Sequence, residues 1–153
     1  MNTTDNLTSV LKMTHPTEIA SVLEEQREKF AQQDRPFAEY LRRKLKEKDL
    51  RQQNVFLSAD IPEGYGYKLV SEEKHTRQRD VILRLCFAAH LTLDEMQRAL
   101  KLYGMSPLYA RFQRDAVLMI AANRELYDIQ NVNDLLAEHK LEPLCPCGSS
   151  ENQ

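Results

Sequence analysis

Between Pro36 and Gly104 apolar residues recur at three- and four-residue steps, and helix start and stop residues cut the run into five short segments. Short helices are unstable alone and hold their shape only by burying an apolar stripe against one another. A chain patterned this way is therefore driven to a packed helical domain. No convincing alternation of apolar and polar residues competes with that reading. Leu, Ala, Glu, Lys, Arg and Gln dominate, there are four glycines, and tryptophan is absent; the dominant residues favour helix. The expected fold class is all-α.

The start and stop signals give the segments. Residues 1–35 read as a polar tail followed by an amphipathic helix from about 16 to 32, with Ile19, Val22, Leu23 and Phe30 on one face. That face is expected to pack on the central domain. Pro36 opens the next helix, whose stripe is Phe37, Tyr40, Leu41, Leu45 and Leu50. Its outer face carries Arg42, Arg43, Lys44, Lys46 and Lys48, which suits either a solvated surface or phosphate contact. A second helix is expected over Arg51–Leu57, a turn over 58–61, and a third helix from about 62 to 71. Thr76 is expected to cap a fourth helix over 77–89, with Val81, Ile82, Leu85 and Cys86 inward. Thr92 and Glu95 have capping-box spacing at the start of a fifth, which Gly104 ends.

Beyond Gly104 the chain repeats itself. Gln78-Arg79-Asp80 recurs as Gln113-Arg114-Asp115, Leu83 as Leu118 and Leu91 as Leu126. With one inserted residue, Leu100 matches Leu136, and Pro107-Leu108 matches Pro143-Leu144. Helices four and five are thus expected again as a hairpin, roughly 107–123 and 129–139, stacked beside the first and extending one core. Ser106-Pro107 reads as its cap and first turn, with Ala116, Val117, Ile120 and Ala121 inward. Arg79-Asp80 and Arg114-Asp115 read as ion pairs near helix starts. The expected organisation is 1–35, a tail and helix; 36–104, the central domain; 105–144, the duplicated hairpin; and 145–153, a disordered tail.

Composition narrows the function classes. No apolar run approaches the roughly 20 residues needed to span a bilayer, and the first residues lack signal-peptide character. Three cysteines, Cys86, Cys145 and Cys147, make no disulfide framework, so a cytoplasmic location is expected. Cys145-Pro-Cys147 resembles half of a zinc motif without its partner half, and the four histidines show no ligand or triad spacing. Neither a catalytic set, a metal site nor a cofactor is expected. Residues 36–104 carry 13 Lys or Arg and 10 Asp or Glu, a net of +3, against −5 for the remainder; a mildly positive centre is compatible with phosphate binding.

The stretch from Pro36 to Gly104 resembles the Cro/CI-type helix-turn-helix domain of phage-repressor-like bacterial regulators, the Xre family. Arg51-Gln52-Gln53-Asn54-Val55 resembles the start of that domain's second helix, and Ile61 the apolar residue after the turn. Glu63-Gly64-Tyr65-Gly66-Tyr67-Lys68-Leu69 resembles the recognition helix, and Arg79–Leu85 and Leu91–Glu95 the fourth helix and the entry to the fifth. Pro107-Leu108-Tyr109, Arg114-Asp115 and Pro143-Leu144 resemble a helical extension found in a subset of these regulators. The chain departs from the pattern where Phe56 replaces a small residue, Asp60 replaces the turn glycine, and Gly64 and Gly66 fall inside the third helix. Glu72 and Glu73 follow it, where they would repel phosphates.

The resemblance implies a five-helix repressor-like domain, extended by a second hairpin and an N-terminal helix, that binds double-stranded DNA in transcription control as a homodimer. Glu63, Tyr65 and Lys68 would face the major groove. Gln52 and Gln53 would bond a phosphate at the helix-two N-terminus. Lys74 and Arg77, with Lys44 and Lys48, would add backbone contacts. The alternative expectation is a non-enzymatic protein–protein interaction module on a repressor-like scaffold that has lost DNA binding.

Overall fold

The computed structural model of the protein describes Ile19, Ser21, Leu23 and residues 35–145. The chain divides into two units, Met1–Arg35 and Pro36–Gln153. Ile19, Ser21 and Leu23 are helical; the rest of the expected 16–32 helix and its packing lie outside the described residues, as do 146–153.

The second unit is all-helical among the described residues: α1 (Pro36–Glu47), α2 (Gln52–Ala59), α3 (Glu63–Val70), α4 (Arg79–Ala88), α5 (Leu93–Leu102), α6 (Gln113–Asn123) and α7 (Ile129–Glu138). Helix α4 is the axis of the fold. It packs against α2, α5 and α7, and every residue from Val81 to Ala88 is buried, not only the inward four expected. Phe37, Leu41 and Leu45 of α1 close one side of the same core, and Leu118, Val132 and Leu136 of the second hairpin close the other. One continuous core lets helices of eight to twelve residues persist.

Several boundaries moved, each for a local reason. Thr76 does not cap α4. It is buried, its hydroxyl accepts the Gln78 N–H at 3.0 Å, and its own N–H donates to the Tyr103 hydroxyl at 2.8 Å. It therefore shapes the approach to α4, and Gln78 stands at the N-cap. Ser106-Pro107 does not start a helix either: residues 105–109 are irregular and α6 begins at Gln113. The carbonyls of Ser106 and Pro107 are drawn instead to the Arg79 guanidinium, each at 3.4 Å. Ile120, expected inward, is 51% exposed, and Leu118 and Ala122 take the inner positions with Val117 and Ala121. The Thr92–Glu95 capping box is present in both halves, and Gly104 follows α5 with φ of 85°, the left-handed region that favours glycine.

The two Arg-Asp pairs are not local but exchanged between the hairpins. Arg79 forks onto Asp115, and Arg114 forks onto Asp80 at 3.0 and 2.8 Å. The loops after each hairpin follow the same rule. Asp115 accepts the Tyr109 N–H and Asp80 the Cys145 N–H, both at 2.9 Å. Arg79 holds the carbonyls of Ser106 and Pro107, and Arg114 those of Glu142 and Pro143. Gln97 accepts the Leu108 N–H as Asn133 accepts that of Leu144. These correspondences follow the sequence repeat at shifts of 35 and then 36, so the hairpins are related by a local two-fold arrangement. The inserted residue, Tyr127, stacks on His90 with centroids 4.4 Å apart.

Candidate nucleic-acid interface

The α2–α3 unit is built by its turn. Asp60 takes φ 56°, ψ 48°, the left-handed conformation that a short polar side chain tolerates where glycine would be usual. The Ile61 N–H then returns to the Phe56 carbonyl at 3.0 Å, and Ile61 is buried. This closes α2 and turns the chain into α3. The turn is tighter than the expected 58–61, because α2 continues through Ala59.

Gly66 explains how α3 forms around two glycines. It is buried, and a Cβ there would lie 2.5 Å from Cδ1 of Phe56. The bulk that Phe56 adds on α2 is accommodated by the missing side chain on α3, and Tyr67 meets the same ring edge-to-face at 5.0 Å. Gly64 has open space around its Cβ position. Leu69 and Val70 anchor the inner face of α3. Glu63, Gly64, Tyr67 and Lys68 are left facing solvent.

The site residues expected from sequence fall into three groups. Glu63, Lys68, Lys74 and Arg77 are exposed; the first two lie on α3, and the Lys74 N–H donates to the Lys68 carbonyl at 3.0 Å. Gln52 and Gln53 open α2 behind Arg51, the first half-buried and the second exposed. Neither α2 nor α3 has a side chain capping its N-terminus. Tyr65 differs from expectation: it is half-buried and packed on the core, so its ring is committed largely to folding. Tyr67, 43% exposed, occupies the outward position instead. It lies four residues after Glu63, a helical spacing by which the sequence could have pointed to it.

Lys44 and Lys48 are not free to contact a phosphate backbone. Both reach Glu95, at 3.1 and 3.0 Å, and Lys44 also reaches Glu47. Burial alone would raise the Glu95 carboxyl, but the Thr92 N–H and the two ammonium groups outweigh it and hold it at about 2. The outer basic face of α1 is thus partly consumed in tying α1 to α5. Glu72 is also reassigned: half-buried, it accepts the Ala38 N–H at 3.3 Å in the first turn of α1. Of the acidic pair after α3, Glu73 alone is left exposed.

From Arg51 to Arg77 the exposed charges are four cations, Arg51, Lys68, Lys74 and Arg77, against three anions, Asp60, Glu63 and Glu73. Leu57 stands 81% exposed on α2. No family model matches the chain, and neither does any curated protein or solved structure. Among the described residues no group of His, Cys, Asp or Glu could hold a metal ion, and no helix is long and apolar enough to cross a membrane.

Proposed function

We propose that the protein is a DNA-binding regulator that reads duplex DNA with α3. The observation that carries this reading is the α2–Asp60–α3 unit. Two short helices are joined by a left-handed residue, the second is anchored by Leu69 and Val70, and its opposite face is free. That geometry suits insertion of a helix into the major groove. Glu63 could accept from cytosine N4, and Tyr67, in place of Tyr65, could meet a thymine methyl or a phosphate. Lys68 on α3, with the exposed Lys74 and Arg77 after it, supplies cations, and the uncapped first turn of α2, with Gln52 and Gln53, suits a phosphate. The likeness to Xre-type regulators belongs to this proposal, as does dimeric binding to two half-sites.

The test is a salt titration of binding to genomic fragments, followed by Lys68→Ala on a bound fragment. Affinity should fall steeply with salt, and the variant should reduce the slope of log K against log salt by about 1. Absence of any bound fragment at low salt would remove the proposal.

A second reading is a protein-interaction module, favoured by apolar exposure. Leu57 stands beside the candidate face, and Tyr109, Phe112 and Ile120 are 50%, 63% and 51% exposed on the second hairpin. Recovery of a stoichiometric protein partner, free of nucleic acid, through the Leu57 face would favour it.

A further inference from the structure

The two-fold arrangement of the hairpins does not extend to the buried Arg84. Arg84 of α4 corresponds to Met119 of α6, so the hairpin pair itself has no need of an arginine there. Arg84 is only 5% exposed. Its guanidinium donates to three carbonyls: Ala59 at 3.0 Å, Leu144 at 2.8 Å and Cys145 at 2.8 Å. Ala59 is the last residue of α2, immediately before the left-handed Asp60. Leu144 and Cys145 belong to the strap that follows α7, more than 80 positions later in the chain.

The strap is itself clamped. Leu144 is buried and its N–H donates to Asn133 of α7 at 2.8 Å, while the Cys145 N–H donates to Asp80 and its thiol to Gln78. Cys145 is therefore held at three points rather than beginning a loose tail. A guanidinium stays charged and cannot be left in a core without acceptors. Two of the three acceptors of Arg84 come from the strap. If the strap departs, the guanidinium loses two of its three acceptors and is opened to water, which competes for its hold on the Ala59 carbonyl.

We infer that Arg84 is a positioning residue, a latch through which the Leu144–Cys145 strap holds the turn between α2 and α3. The strap lies far from α3 in sequence, yet its seating sets how firmly α3 is presented. The consequence for DNA rests on the reading proposed above, but the mechanical link does not.

Amide hydrogen exchange tests the link without nucleic acid. The amides of Asp60 and Ile61, which close the turn, are compared with that of Leu100 in α5, so that a general loss of stability cancels. Leu144→Ala loosens the strap while leaving every residue of α2 and α3 unchanged, and the exchange ratio at the turn should rise about tenfold. Arg84→Met, which installs the residue of the counterpart position, should raise it as well, and Arg84→Lys should fall between, since one ammonium serves fewer of the three carbonyls. An unchanged ratio in Leu144→Ala overturns the latch whatever the other variants do, and it decides alone if Arg84→Met fails to fold. Failure here leaves the salt titration untouched, so the two proposals fail separately.

Discussion

The two hairpins, α4–α5 and α6–α7, share a plan but live in different surroundings. The first is enclosed, with α1 and α2 packed on one side and the second hairpin on the other; α4 is buried around its whole circumference. The second has its partner on one side, and its outer face keeps Phe112 and Ile120 in solvent. At matching positions Leu85 is fully buried where Ile120 is half exposed, and Arg84 bridges three carbonyls where Met119 bridges none. The contacts between the hairpins are alike in both copies; those that face elsewhere differ. The lesson is that a repeated segment preserves the contacts it makes with its own copy, while its remaining faces answer to whatever packs on them.

The exchanged ion pairs offer the strongest test of that comparison. They are alike in partners but not in burial: the side chain of Asp115 is 4% exposed and that of Asp80 18%. Asp115→Ala leaves Arg79 only the Ser106 and Pro107 carbonyls, strands the Tyr109 N–H and should cost about 3 kcal/mol, with Asp80→Ala costing about half as much. Equal losses in urea unfolding would mean that burial does not distinguish the two. The next contrast is apolar. Leu85→Ala should cost about 3 kcal/mol, whereas Ile120→Ala should stay within about 0.5 kcal/mol; a large loss at Ile120 would reveal a partner on the outer face.

The caps come next. Thr92→Ala and Asp128→Ala each remove an N-cap and should cost about 1 kcal/mol at neutral pH. Acid tests the box at Thr92 through Glu95. Glu95 is held at about 2, below its ordinary 4.5, so its contribution is complete above 4.5 and lost as the pH falls from there toward 2. A thermal melting series should show the parent chain losing its advantage over Glu95→Gln across that window; parallel curves would place the stabilisation elsewhere. The smallest effect concerns the C-terminal turns, where Gly104 and Lys140 take φ of 85° and 59° at matching positions. Lys140→Gly should gain about 0.5 kcal/mol, because the left-handed conformation burdens a residue with a Cβ.

The one-dimensional pattern was enough for the helical class, for the capping box at Thr92 and Glu95, for the helix pair around Ile61 and for the existence of the repeat. These depend on interactions between residues a few positions apart, or on periodicity that a short window contains. Tertiary structure alone decided that Phe56 and Gly66 are a matched pair, that Arg79 and Arg114 exchange carboxylates, that Lys44 and Lys48 are taken by Glu95, that Tyr67 rather than Tyr65 faces outward, and that Arg84 reaches from the strap to the turn. Each of these is a side chain choosing among partners ten or more residues away, and that choice is made by burial and distance, which no local spacing encodes.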